Sequence, residues 1–264
     1  MNELELLFTE ILGCCRHELY LKKDWKFTPS QREVFLDALK RRLKHEPLQY
    51  ILGKTEFMGL EFKLNPHVFI PRPETELLVE YTLGLANCLL KRNRQLRILD
   101  LGTGSGCIAI SLARYLSSKE VIIDATDVSY PALTVARDNA SLNQVKINFL
   151  ETNLFSGLKP QSYDIIVSNP PYIPSAEIEK LSKELSYEPR LALEGGEDGF
   201  KYLRLIIQDV PFYLKASGYL LLEIGYGQIK LLKNIFKNIK NLRIIDIIKD
   251  YSNIERVLVI KNHG

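Results

Sequence analysis

The chain has 264 residues, 46% hydrophobic and 25% charged. That suits a folded protein of one or two domains and excludes a disordered, collagen-like or coiled-coil chain. Lys and Arg number 35 against 32 Asp and Glu, a net charge of +3, too mild for the strongly basic face of a dedicated nucleic-acid binder. Cys14, Cys15, Cys88 and Cys107 form no C-x-x-C pair, and His17, His45, His67 and His263 form no ligand cluster. No metal is therefore expected, and the thiols read as reduced. The acidic start lacks the basic region of a signal peptide, and no apolar run approaches the roughly 18 residues of a membrane span. The expectation is a cytoplasmic protein without a membrane partner.

Leu4, Leu7, Phe8, Ile11, Leu12 and Cys15 lie on one helical stripe. A second helix is predicted from Thr28-Pro29, with a capping box from Ser30 to Glu33 and Phe35, Ala38, Leu39 and Leu43 as its apolar positions. Its basic cluster, Lys40, Arg41, Arg42 and Lys44, reads as a solvated face. Leu60, Phe62 and Leu64 alternate with Glu61 and Lys63 after a Met58-Gly59 turn, which predicts a hairpin strand. Residues 1–55 thus form a small helical domain, 56–74 a hairpin linker, and 75–264 a larger domain.

In that larger domain a helical stripe enters through Pro73, at Leu77, Leu78, Tyr81, Leu85, Cys88 and Leu89. Apolar runs follow at Arg97–Leu101, Val121–Thr126, Ile147–Leu150, Tyr163–Val167 and Tyr219–Ile224, with helical stretches such as Ile108–Leu116 and Ala132–Leu142 between. Short buried strands alternating with helices predict a mainly parallel α/β sheet. Leu242–Ile248 and Arg256–Ile260 are too close for a crossover helix, so the last strand is expected to run antiparallel.

Asp100-Leu101-Gly102-Thr103-Gly104-Ser105-Gly106 follows the first core strand and opens a helix. Glycines there let the backbone approach a ligand, and a helix N-terminus offers free N–H groups. The spacing is neither the G-x-G-x-x-G of dinucleotide binders nor a P-loop. Asp127 ends the second strand, where a carboxylate accepts both hydroxyls of a ribose or caps the helix before Pro131. The arrangement resembles the S-adenosylmethionine (SAM) site of Rossmann-like methyltransferases. The resemblance implies that Gly102, Thr103, Gly104, Ser105 and Gly106 underlie the methionine and ribose, that Asp127 holds the ribose, and that Asn153 and Leu154 stand at the adenine.

The fourth strand runs into Asn169-Pro170-Pro171-Tyr172 at the sheet edge where ligands of α/β folds bind. A conjugated NH₂ is a poor nucleophile because its lone pair is delocalised. The Asn169 side-chain oxygen and the Pro170 carbonyl can each accept one of its N–H groups and hold the nitrogen in line with a methyl donor. The prolines stiffen the turn, and Tyr172 offers a flat wall. Adenine N6, guanine N2 and glutamine N5 all satisfy these four residues.

Beyond this turn the chain carries Pro47-Leu48-Gln49-Tyr50-Ile51-Leu52-Gly53, Glu56-Phe57 and Ile70-Pro71-Arg72-Pro73-Glu74-Thr75-Glu76. It also carries Tyr187-Glu188-Pro189-Arg190-Leu191-Ala192-Leu193, Gly195-Gly196, Asp198-Gly199, Asp250-Tyr251 and Glu255-Arg256-Val257. With these strings it resembles the release-factor glutamine methyltransferases, the PrmC or HemK family, over nearly its whole length. The resemblance implies a Rossmann-like methyltransferase sheet with a small N-terminal helical domain that docks the protein substrate. The implied reaction is methylation, by SAM, of the glutamine N5 in the Gly-Gly-Gln motif of peptide-chain release factors, with S-adenosylhomocysteine as product. Asn169, Pro170, Pro171 and Tyr172 would bind the amide, Asn169 would also touch the cofactor, and Asn169, Pro170 and Tyr172 would be catalytic. Phe69 would close the pocket or fill the core; Arg72 and Glu74 would order a loop over the cofactor or form a salt bridge at a helix start. The alternatives are an amino-methyltransferase of nucleic acid, for which a basic track is lacking, and a SAM-binding scaffold that only partners the release factor.

Overall fold

A computed structural model describes residues 3–22, 24–91, 95–116 and 120–264. The chain opens with four helices, α1 (Glu3–Leu12), α2 (Arg16–Leu21), α3 (Pro29–Leu43) and α4 (Leu48–Leu52). They close on a small core of Leu7, Ala38 and Leu48, with Ile11, Phe35 and Leu39 packed against it. Gly13, at φ +63°, stops α1, because a left-handed residue cannot continue a right-handed helix. Cys15 therefore starts α2 instead of extending the α1 stripe. The α3 cap also differs from expectation. Thr28, not Ser30, is the N-cap, and its box partner is Gln31: each side chain meets the other's backbone N–H, at 3.2 and 3.0 Å.

The basic cluster on α3 is not simply solvated. Arg41 pairs with Glu46 at 2.5 Å, and Arg42 bridges Glu3 at 2.8 Å and Glu184 at 2.6 Å. The Arg42–Glu184 pair ties the helical segment to a loop 142 residues downstream. The Tyr187 hydroxyl adds a second tie, donating to the Lys44 carbonyl at 2.9 Å.

β1 (Lys54–Phe57) and β2 (Leu60–Lys63) pair antiparallel around Met58-Gly59, whose φ values of +52° and +69° are those of a type I′ hairpin turn. Phe57 and Phe62 are buried in the main core. Asn139 fastens the hairpin to the glycine turn: it accepts from Lys63 N and donates to the Lys63 and Ser105 carbonyls.

α5 (Pro73–Leu90) buries Thr75, Leu78, Val79, Thr82 and Ala86. That face is rotated from the expected stripe and leaves Cys88 exposed. Two threonines lie on the buried face because each has a partner there, Glu223 for Thr75 and the Leu78 carbonyl for Thr82. A reading of apolar letters skips such positions.

The sheet is then built by β3 (Leu96–Leu101), α6 (Cys107–Leu116), β4 (Val121–Asp127), α7 (Tyr130–Leu142), β5 (Asn148–Glu151) and β6 (Tyr163–Ser168). Short helices α8 (Ser175–Ile178) and α9 (Arg190–Leu193) and the longer α10 (Lys201–Tyr213) lead to β7 (Leu214–Glu223). α11 (Ile229–Lys237), β8 (Leu242–Lys249) and β9 (Glu255–Asn262) complete it. The strand order is β5-β4-β3-β6-β7-β9-β8. β9 alone runs antiparallel, to both β7 and β8, as its short connection requires. β7 begins five residues before the expected run, because α10 passes into it without a loop. One apolar layer, with Leu78, Ile98, Ile110 and Val167, covers one face of the sheet. A second, with Leu99, Ile166, Leu203 and Leu222, covers the other. The order reverses beside β3, so the carboxyl ends of β3, β4 and β6 open on one crevice.

Candidate active site

That crevice holds a cavity of about 350 Å³, reaching from the glycine turn to the Asn169–Tyr172 turn, within the size range of small-molecule sites. Its floor is set by backbone bonding: Gly102 N and Thr103 N both donate to the Thr126 carbonyl, at 2.9 and 2.8 Å. Asp100, fully buried, accepts from Thr103 Oγ1 at 2.6 Å and Ala109 N at 3.2 Å, locking the turn to the start of α6. Thr103 therefore turns its hydroxyl inward and offers the cavity its backbone.

Gly102 and Gly104 have φ of +78° and +54°, and a Cβ on either would meet no atom within 4 Å. Open space above glycines that need their conformation is what a closely held ligand requires. Gly106 departs from expectation. It does not line the cavity; a Cβ there would lie 2.8 Å from Ile110 Cδ1 and 3.2 Å from Ala136 Cβ, so this glycine permits α6 to pack on α7.

Asp127 lines the cavity at the end of β4. Oδ2 accepts from Gly104 N and Oδ1 from Ser129 N, each at 2.9 Å. Each oxygen keeps a lone pair for one hydroxyl of a vicinal diol. Burial nonetheless raises its pKa. The helix cap is Ser129, which accepts from Ala132 N; Asp127 is left to the cavity. Asn153 and Leu154 line the same end, with Leu154 at φ +50°.

The open glycine floor, the Asp127 carboxylate and the cavity's dimensions fit SAM. In that fit the backbone of Gly102–Ser105 would underlie the methionine and ribose, and Asp127 would take the ribose hydroxyls.

On the far side stand Asn169, Pro170, Pro171 and Tyr172, all lining the cavity. Asn169 Nδ2 donates to Thr75 Oγ1 at 3.1 Å, and Thr75 Oγ1 donates to Glu223 Oε2 at 2.7 Å. Three glycines clear space for Tyr172. A Cβ at Gly195, Gly199 or Gly225 would lie 2.7 Å from Tyr172 Cα, 2.4 Å from its carbonyl oxygen and 2.9 Å from its Cδ2, respectively. Gln228 Nε2 donates to the Gly199 and Tyr172 carbonyls, completing the brace.

Two of the recognised strings meet at the rim of the cavity. Glu188, buried, accepts from Ile70 N at 3.0 Å and pairs with Arg72. Arg72 in turn lies 4.6 Å from the centre of the Phe69 ring. Arg72 thus joins the 69–72 loop to the 187–193 segment and makes no ion pair with Glu74. Asp100, Thr75, Glu188 and Glu223 were not among the expected site residues. Glu223 did leave a signal, an acid inside the otherwise apolar run Tyr219–Ile224.

Burial pushes Asp100 and Glu223 up to about 7. In the unfolded chain both ionise near pH 4. Between about pH 4.5 and 7 the folded protein therefore binds more protons than the unfolded one, and stability falls as pH rises through that window. Carboxylates held low by arginines, such as Asp198 and Asp250, act in the opposite sense at more acid pH. The urea midpoint is expected to be higher at pH 5.5 than at pH 8.0. Asp100→Asn should flatten that slope, and a midpoint rising steadily to pH 8 would contradict the assignment.

Among the described residues no His, Cys, Asp or Glu group is arranged to hold a metal, and no helix is long and apolar enough to cross a membrane.

Residues 1–53 match the family profile described as the PrmC N-terminal domain, and residues 82–197 that of the methyltransferase small domain. The release factor glutamine methyltransferase of Geobacter sulfurreducens is 41% identical over 235 residues, 89% of this chain and 80% of that protein. The release factor glutamine methyltransferase of Thermodesulfovibrio yellowstonii is 38% identical over 99% of this chain and 92% of its own length. Among solved structures, a methyltransferase from Pyrococcus furiosus superimposes with a TM-score of 0.55 at 18% identity, covering 90% of this chain and all of that one. The ribosomal protein L11 methylase of Lactobacillus delbrueckii subsp. bulgaricus gives 0.52 at 24%, over 76% and 84%. The structural likenesses speak for the fold and the sequence matches for the family: this chain belongs to the release factor glutamine methyltransferases.

Proposed function

We propose that the protein transfers the methyl group of SAM to N5 of the glutamine in the Gly-Gly-Gln motif of peptide-chain release factors, in the cytoplasm. The observation that supports this reading is that Asn169 and Pro170, whose side-chain oxygen and carbonyl are suited to accept from an amide, line the same cavity as the glycine turn and Asp127. SAM, when bound, supplies an electrophilic methyl on a sulfonium. Asn169 Oδ1 and the Pro170 carbonyl each accept one hydrogen of the substrate amide and aim its nitrogen at that methyl. As the N–CH₃ bond forms and the S–CH₃ bond breaks, positive charge grows on the nitrogen, and the two acceptors stabilise it. The extra proton leaves to solvent, and the products are N5-methylglutamine and S-adenosylhomocysteine. Tyr172 walls the planar amide, and Pro171 stiffens the turn that presents it. Leu154 and Asn153 take the adenine.

Residues 1–55 act as the docking domain for the release factor, 56–74 as the linker, and 75–264 as the catalytic domain. A nucleic-acid substrate is disfavoured because Arg41 and Arg42 are committed to Glu46, Glu3 and Glu184 and so are poorly disposed to bind phosphates.

Mass spectrometry of a release factor incubated with the protein and SAM tests the reading. The expected result is one added methyl, on the Gly-Gly-Gln glutamine; transfer to RNA or DNA instead would replace the substrate. A short Gly-Gly-Gln peptide is expected to react far more slowly than the folded factor, since three residues bury too little surface for specific binding.

A further inference from the structure

The two ends of an asparagine amide have nearly the same shape, so its function as an acceptor depends on what fixes its orientation. Asn169 sits one residue past the end of β6, and Glu223 one residue past the Ser168–Leu222 pairing on the neighbouring β7. Thr75 reaches both from the first turn of α5. Thr75 and Glu223 are each 2% exposed, so water does not readily substitute for either.

We propose that Thr75 and Glu223 are positioning residues that orient the Asn169 amide, keeping Nδ2 turned away from the substrate and Oδ1 available to it. The proposal rests on the reading of Asn169 as the substrate amide's acceptor. Its logic follows from counting hydrogens. A threonine hydroxyl has one, and at 2.7 Å Thr75 gives it to Glu223. Toward Asn169 it can then only accept, and only Nδ2 can donate. Asn169 also favours the ionised form of Glu223, as an amide N–H turned toward the carboxylate does.

An ionised Glu223 cannot donate, which makes the direction of the chain obligatory; a protonated Glu223 relaxes it. Around Glu223 stand Thr75 and Glu74 of α5, Asn169 and Tyr172 of the turn, and Arg256 of β9. Arg256 favours the ionised form, while Glu74 and burial oppose it.

The test uses the full chain with SAM and an intact release factor. Thr75→Val keeps the shape and removes the hydroxyl. It is expected to lower kcat about 10- to 100-fold while leaving KM for the factor and Kd for SAM within about threefold, as a lost transition-state contact does. Thr75→Ser restores the hydroxyl and should recover most of kcat. Glu223→Gln, which can donate as well as accept, should lower kcat in the same way and serves if Thr75→Val does not fold.

A second readout needs no turnover. The Asn169 side-chain N–H signals, assigned by NMR through their loss in Asn169→Ala, should exchange slowly with solvent in the wild type and at least tenfold faster in Thr75→Val. Slow exchange in a wild type that does not methylate the factor would remove the substrate reading and keep the relay. Unchanged kcat or unchanged exchange in Thr75→Val would overturn the relay and leave the substrate reading standing. A fall in SAM affinity matching the fall in kcat would also overturn it, by making Thr75 a cofactor residue.

Discussion

Replacing Asn169 by alanine is expected to reduce methyl transfer about 100- to 1,000-fold, the effect of deleting one preorganised hydrogen-bonding group aimed at developing charge, while Kd for SAM changes by no more than about threefold. The separation follows from where the two substrates are held. In the proposed reading the cofactor rests on the backbone of Gly102–Ser105 and on Asp127, which line the cavity from the ends of β3 and β4. Asn169 follows β6 and is tied to Thr75 of α5, which in turn binds Glu223 of β7. Losing its side chain leaves the glycine floor and the Asp127 hydrogen bonds intact. It removes one of the two proposed acceptors for the substrate amide and leaves the Thr75 hydroxyl without its Asn169 donor. Calorimetric titration of SAM beside single-turnover transfer reads both quantities on one preparation. If affinity and rate fell together, Asn169 would be chiefly a cofactor residue, and the Pro170 carbonyl would be the principal acceptor.

The core strands were legible because a buried parallel strand is a short apolar run, and Arg97–Leu101 or Tyr163–Val167 cannot hide such a run. α2 and α4, at six and five residues, are too short to show a period and passed unseen. The glycine turn shows a finer limit. Gly102, Gly104 and Gly106 share one motif and one sign of φ, yet two face open space and the third faces Ile110 and Ala136. Spacing along the chain does not say what stands opposite a glycine. The Asn169–Tyr172 turn was readable because its chemistry is contained in four consecutive residues. Its supports were not: Thr75 and Glu223 are 148 positions apart, and Arg72 and Glu188 are 116 apart. Arg72, Thr75 and Glu188 all belong to strings quoted for their resemblance to the family. Only the fold makes those strings interdependent, with one bracing the floor and rim against the other.

Gly199→Ala tests that interdependence at its tightest contact. A Cβ there would stand 2.4 Å from the Tyr172 carbonyl oxygen and 3.3 Å from Pro174 Cδ, at φ +78°. The obstacle is backbone, so no side-chain rotation relieves it. Either the 195–199 loop or the Asn169–Tyr172 turn must move. Gln228, which donates to the carbonyls of both Tyr172 and Gly199, resists their separation. Left-handed strain contributes about 1–2 kcal/mol and overpacking about 1–3 kcal/mol more, so stability should fall by roughly 2–5 kcal/mol. Displacing the turn by even about 1 Å should cost about 100-fold in kcat. Gly157→Ala separates strain from collision, since Gly157 has nearly the same φ, +76°, and a Cβ there meets nothing within 4 Å. That variant should lose about 1–2 kcal/mol and keep its kcat. Urea unfolding and single-turnover transfer on the two variants decide the matter. If Gly199→Ala kept wild-type turnover, the carbonyl of Tyr172 would have room to move without consequence, and the glycines behind it would serve folding alone. Turnover lost in Gly199→Ala and kept in Gly157→Ala would show that these glycines hold the two amide acceptors at their working distance.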